Sequence, residues 1–159
     1  MDGLVRLAST ESAGSSVAYR GENVRVREVD AFDFTKVQVA FFAAGPAVTR
    51  SFAPRATAAG CAVIDLSGGL PVEQAPNVVP EVNGALLATL AKPVQVACPS
   101  PAAAALAMVL GPMRSLLEVQ RVSVTACLAV SSQGREGVAE LARQTAELLN
   151  VRPLEPRVF

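Results

Sequence analysis

The chain contains no histidine, and its three cysteines, Cys61, Cys98 and Cys127, are widely separated and odd in number. Zinc sites and disulfide frameworks draw on closely spaced cysteines and histidines, so neither is expected, and the site carries no metal in this reading. Cys61 and Cys127 lie in or beside strand-like apolar runs, where free cysteine behaves as a small core residue, and both are expected to be reduced and buried. Neither sign of charge is in excess, with 14 Lys and Arg against 14 Asp and Glu, and only 4% of residues are aromatic. That denies the chain a phosphate-tracking basic face and a base-stacking surface, so no nucleic-acid partner is expected. Long apolar runs are missing as well. The longest, Ala102 to Leu110, falls far short of the roughly 18 to 20 residues that cross a bilayer, and its alanine richness suits a packed core helix. No membrane association is expected. The opening Met1-Asp2-Gly3-Leu4 has no charged segment leading into an apolar one, which makes the cytoplasm the expected location.

What remains is ample for a folded domain, since 51% of 159 residues are apolar. Val37 to Ala43 is a β-branched and aromatic run ended by Gly45-Pro46, which predicts a strand buried on both faces. Val48 to Ala59 then carries helix-forming alanines and arginines and stops at Gly60, a good C-terminal cap, before Cys61 to Asp65 begins a second buried strand. The unit is βαβ. After a loop rich in proline and asparagine, Pro71 to Asn83, the same rhythm returns with a short helix near Gly84 to Leu90 and a strand at Val94 to Ala97. Ser100 can cap the next helix, and Pro101 suits its first turn because no amide donor is needed there. A strand-like stretch from Val119 to Val130 follows. A helix from about Glu136 to Leu149 completes the pattern, with Val138, Leu141, Ala142, Thr145 and Leu148 on one side. Alternation of this kind predicts an α/β fold with an open, largely parallel sheet, whose ligands sit beyond the strand C-termini. The strand-like Leu4 to Ala8 at the start and the proline-punctuated Arg152 to Phe159 at the end make the chain read as a piece of something longer.

Five stretches taken together resemble the aspartate-semialdehyde dehydrogenase family, in the same order and with similar separations. They are Leu7-Ala8-Ser9-Thr10-Glu11-Ser12-Ala13-Gly14, Phe42-Ala43-Ala44-Gly45, Val63-Ile64-Asp65-Leu66-Ser67, Val79-Pro80-Glu81-Val82-Asn83, and Ala129-Val130 through Gly137. Within that family the chain is most similar to the catalytically doubtful Usg-type homologues. The resemblance implies a Rossmann-like dinucleotide-binding domain over residues 1–120, lacking its first βαβ glycine-rich turn, and the start of an α+β catalytic and dimerisation domain over residues 121–159. It also implies a homodimer and a role in amino-acid biosynthesis, the NADP-dependent reduction of aspartyl phosphate to aspartate semialdehyde.

The same resemblance locates the site. The family's nucleophilic cysteine lies in an Asn-Pro-Asn-Cys-Ser-Thr segment that opens a helix, and the matching residues are Cys98-Pro99-Ser100-Pro101-Ala102-Ala103. Pro101 therefore stands at the nucleophile position, where it has no ionisable group to form a thioester. Cys98 falls three residues earlier, expected as a small buried residue at a strand end; as a displaced nucleophile it supports the alternative of an oxidoreductase with altered mechanism. The family's glutamine in Thr-Tyr-Gln-Ala-Val-Ser aligns with Leu128, and its phosphate-binding arginine with Pro71. For the cofactor, NADP or NAD by resemblance, the matching positions are Ser9, Ser12, Ala13, Gly14, Ala44, Gly45 and Asn83. Glu11 replaces the arginine of a Ser-Arg-Ser-Ala-Gly turn, and an acidic residue there favours NAD over NADP. Nothing of the family's Gly-Ala-Thr-Gly-x-Val-Gly form occurs in the chain. The resulting expectation is a non-catalytic homologue or fragment.

Overall fold

The computed structural model describes residues 3–159, which divide into two compact units, the first ending at Glu118 and the second running from Val119 to Phe159. The fold is α/β, as the alternation of strands and helices predicts. The first unit holds two three-stranded sheets. In one, β1 (Arg6–Ala8) runs parallel to β3 (Glu22–Glu28), which pairs on its other side with antiparallel β2 (Ser16–Tyr19). In the other, β4 (Val39–Phe42), β5 (Ala62–Asp65) and β6 (Gln95–Ala97) are parallel throughout.

The β2–β3 hairpin has no counterpart in the sequence reading. Its turn is Arg20-Gly21, both with positive φ, at 51° and 83°. Consecutive positive φ values match the twist of the flanking strands. Glycine supplies one of them without cost, but arginine in the other gives the pair an ordinary polar look.

The core lies between β4 and β5 and the helix that joins them, α1 (Pro46–Ala58). Val63, Cys61, Ala53 and Ala56 are fully buried there, with Phe42, Phe32 and Phe34 closing the cluster. Small alanines let α1 lie close on the sheet, while Phe32 and Phe34 meet edge to face with ring centroids 5.2 Å apart. Gly60 ends α1 as its sequence position suggests. With φ at 84° it sends its amide to the Thr57 carbonyl at 2.9 Å, and the Cys61 amide reaches back to Ala56 at 3.0 Å. This paired closure satisfies the last carbonyls of the helix and turns the chain directly into β5.

Beyond β5, a 3₁₀ turn over Gly84–Ala88 stands where a short helix is expected, and the short α2 (Pro80–Asn83) lies in the stretch expected as loop. Residues 76–78 run alongside β6, the Val78 amide donating to Ala97 and the Ala97 amide to Pro76. The alanine-rich helix, α3 (Pro101–Met113), begins where expected but is not a packed core element, since none of its residues is buried and Val109 is 62% exposed. It touches α2 along one side, where a side chain at Gly111 would come within 2.9 Å of Val82, and it leaves Met108, Val109 and Met113 exposed while Leu106 and Leu110 are half-buried.

In the second unit, the stretch expected as a strand makes no ladder. No strand is assigned among residues 119–129, because a strand exists only through a partner and the unit supplies none. A 3₁₀ turn over Val130–Gln133 leads into α4 (Gly134–Leu149). The side of α4 expected to be apolar is exposed at Val138, Leu141 and Leu148, whereas Gly137 and Glu140 are buried. The reason is the C-terminal segment, which folds over the Glu140 side. Glu140 accepts from the guanidinium of Arg143, the amide of Gln144 and the backbone N–H of Arg157, while Arg143 also donates to the Glu155 carbonyl. Cys127 is likewise exposed rather than buried.

Candidate functional site

Residues 9–14, 44–45 and 98–101 follow the C-terminal ends of β1, β4 and β6, the strand ends at which an α/β sheet binds its ligands. After β1, residues 9–14 form a tight turn in which the amides of Ser12 and Ala13 both donate to the Ser9 carbonyl, and Gly14, at φ 88°, donates its amide to Val26. Ser9, Glu11, Ser12 and Gly14 are exposed and Ala13 half-buried. Thr10 anchors the turn to β3 by donating its hydroxyl to Glu28 at 2.6 Å.

After β4, Ala44 and Gly45 lead into α1. Gly45 sits at φ 107°, a region that side-chain-bearing residues avoid, and Pro46 occupies the first helical position. No side chain caps this helix, so its leading amides stay available to an anion. After β6, Cys98 is exposed, which corrects the expectation of a buried thiol. Its amide donates to the Asp65 carbonyl at 2.8 Å, so the backbone there is fixed while the side chain is not. Ser100 caps α3 as expected, accepting from the Ala103 amide at 3.3 Å, and Pro101 is the first residue of the helix.

Asn83 lies at the end of α2 with its amide already committed. Its Oδ1 accepts from the Val79 amide at 2.8 Å and its Nδ2 donates to the Asn77 carbonyl at 2.9 Å. It therefore shapes the loop beside β6, with one donor and one acceptor position of its amide already engaged. Pro71 is exposed, its carbonyl accepting from the amides of Gln74 and Ala75. Leu128, in the second unit, is 63% exposed.

Two of these positions, the Gly45 turn and Cys98, are tied together by a residue that sequence reasoning passed over. Asp65, at the end of β5, is fully buried, and its carboxylate accepts from the Ser67 amide and hydroxyl, both at 2.7 Å, and from the Leu70 amide at 2.8 Å. Burial pushes its pKa up, but the hydrogen bonds from Leu70, Ser67 and Gly69 outweigh that and hold the carboxyl below its usual range. Ser67 in turn lies 2.7 Å from the hydroxyl of buried Thr49, which reaches the Gly45 carbonyl at 3.2 Å. The Gly45 turn, residues 66–70 and Cys98 thus share one network. The turn over residues 9–14 has no hydrogen bond to it among the described residues. The signal was present in the sequence: an aspartate closing an apolar run, with serine two residues on, is the pattern of a side-chain-closed turn.

Chemically, the assembled groups offer turn backbone, an open helix N-terminus and hydroxyls. That set suits the binding of a phosphate-bearing cofactor better than acid–base or covalent work. A family profile described as "Semialdehyde dehydrogenase, NAD binding domain" matches residues 1–90, and one described as "Semialdehyde dehydrogenase, dimerisation domain" matches residues 110–159. Among known proteins the chain is 58% identical to a USG-1 protein homolog of Azotobacter vinelandii over 96% of its length, covering 46% of that protein. It is 36% identical to an aspartate-semialdehyde dehydrogenase of a Shewanella species, covering 98% of this chain and 46% of that one. Of solved structures, a probable aspartate-semialdehyde dehydrogenase from Pseudomonas aeruginosa matches with a TM-score of 0.84 at 54% identity, over 98% of this chain and 46% of the other. Aspartate semialdehyde dehydrogenase II from Vibrio cholerae gives the same TM-score at 36% identity, over 99% of this chain and 47% of the other. The chain spans about half the length of the curated relatives it matches.

Proposed function

Because the chain belongs to the semialdehyde dehydrogenase family, we propose that it keeps the family's scaffold and lacks its acyl-transfer chemistry. The observation that carries this is Pro101, which occupies the first position of α3, where the resemblance puts the nucleophile. A ring carbon there can neither attack an acyl phosphate nor leave from a thioester. Leu128 in place of a hydrogen-bonding glutamine and exposed Pro71 in place of a phosphate-binding arginine remove substrate contacts as well.

What the chain retains is part of the cofactor side, without the glycine-rich turn. Ser9, Ser12, Ala13, Gly14, Ala44 and Gly45 stand in turns whose backbone faces solvent, and the nicotinamide cofactor that the family profile implies would meet residues 9–14 and 44–45 there. That group supplies a hydride when bound; the chain's own part is to hold it by backbone amides and hydroxyls. Residues 1–120 form the dinucleotide domain in this reading, and residues 121–159 open the catalytic and dimerisation domain, through which the protein pairs as a homodimer.

The test is an assay of NADPH oxidation with aspartyl phosphate, and of the reverse, phosphate-dependent reaction. Background rates are expected, and turnover abolished by removing the acyl phosphate would overturn the reading. A second reading has one observation in its favour: the exposure of Cys98 near the start of α3. If the chain is an oxidoreductase of altered mechanism, a thioester on Cys98 is trapped by mass spectrometry and lost in Cys98→Ala.

A further inference from the structure

A buried carboxylate usually answers a cation, but among the described residues no lysine or arginine stands within ion-pair distance of Asp65. Its charge is held by hydrogen-bond donors alone, and the cost of burying it ties it closely to those donors. The directions of those bonds follow from the chemistry. A carboxylate only accepts, so the single hydroxyl proton of Ser67 points at Asp65. The Ser67 oxygen is then an acceptor, and the proton of Thr49 goes to it at 2.7 Å in preference to the Gly45 carbonyl at 3.2 Å. Thr49 also gives its backbone amide to Gly45 at 3.1 Å. The relay therefore runs from the carboxylate to the turn that opens α1. Residues 66–70 are clamped against that turn besides, because a side-chain carbon at Gly69 would fall 2.7 Å from the Pro46 carbonyl and 2.8 Å from Cβ of Thr49. On its other side the Asp65 carbonyl takes the amide of Cys98.

We propose that Asp65 is the positioning residue of this crevice: through Ser67 and Thr49 it fixes the Gly45 turn, and through its carbonyl it fixes Cys98, before any ligand arrives. The proposal rests on the reading that the Gly45 turn faces a nicotinamide dinucleotide, and it adds the device that holds that backbone in its binding shape. Preformed backbone spares the ordering cost that binding would otherwise carry.

The test compares Thr49→Val with Thr49→Ser, alongside Asp65→Asn, in the 159-residue chain. Valine keeps the shape of threonine and loses the hydroxyl, whereas serine keeps the hydroxyl and loses a methyl. Asparagine keeps the outline of aspartate and turns a donor toward donors. NADH and NADPH binding is followed by reduced-nicotinamide fluorescence, and amide hydrogen exchange is read over residues 44–49 and 66–70. Thr49→Val and Asp65→Asn are expected to weaken binding by about tenfold and to raise exchange in both segments by a similar factor, with Thr49→Ser within about twofold of the parent on both. A role in packing alone gives the reverse order, valine normal and serine impaired, and overturns the proposal. Should the parent chain bind neither nucleotide, the cofactor reading fails by itself. The exchange comparison then still decides: faster exchange in Thr49→Val, absent in Thr49→Ser, supports the positioning role, and equal exchange sinks it. If Asp65→Asn does not fold, the Thr49 pair carries the same decision.

Discussion

At position 11 a carboxylate stands where the family resemblance implies an arginine that grips the 2′-phosphate of NADP. The structure leaves Glu11 exposed on a turn held by backbone and by Thr10, so the side chain can be exchanged without disturbing what holds the turn. Glu11→Arg is therefore expected to shift the ratio of NADPH to NADH affinity toward NADPH by about tenfold, the scale of one charge-assisted contact at a partly exposed site. Fluorescence titration with both nucleotides measures it, and an unchanged ratio would remove residues 9–14 from the cofactor site. Position 101 makes the complementary case. Pro101→Cys restores a thiol at the first turn of α3 but not the contacts missing at Leu128 and Pro71. NADPH oxidation with aspartyl phosphate is expected to stay at background, and measurable turnover would show that the nucleophile alone had been lost.

Among the elements, the parallel sheet carries the stability of the first unit. Val63 is fully buried in β5 against α1, and Val63→Ala removes the equivalent of two methylene groups and leaves a cavity, a loss of about 2 kcal/mol. Gly69→Ala drives a methyl group into the Pro46 carbonyl and Thr49, an overpacking cost of roughly 1 to 3 kcal/mol. Denaturant unfolding checks both, and an unaffected midpoint for Gly69→Ala would mean that residues 66–70 are not clamped on α1. The elements were legible to different degrees for physical reasons. Strands β4 and β5 and helix α1 announce themselves because they are apolar or helix-forming runs bounded on one side by Gly45 or Gly60, α1 in spite of Pro54 within it. The β2–β3 hairpin does not, since its strands mix charged residues with valines and arginine holds one of its positive-φ turn positions. The stretch over residues 119–129 was misread because β-propensity describes fitness for a ladder and cannot supply the neighbouring strand. Likewise Cys98, Gly45 and Pro101 were visible through motif likeness, whereas the Asp65 network depends on Thr49 and Ser67, 18 residues apart.

On the scale of the whole chain, acid reaches the C-terminal segment through Glu140. The Arg143 guanidinium, then Gln144 and the Arg157 amide, hold the Glu140 carboxyl down from an ordinary 4.5 to about 2. A group whose folded pKa is depressed stabilises the folded state fully above its ordinary value and loses that contribution as pH falls toward the lower one. The segment over residues 152–159 is therefore expected to loosen between about pH 4.5 and 2, seen as faster amide exchange there. In Glu140→Gln that acid-dependent step is expected to disappear, because glutamine has no proton to gain.

Residues 118–129 are exposed and form neither helix nor ladder, and Arg121 lies among them. Such a stretch fits a protease cleft as it stands, with no helix to unwind and no sheet to unzip. A brief trypsin digest of the native chain should nick first at Arg121, near the boundary between the units. The tract then serves as a built-in cutting point.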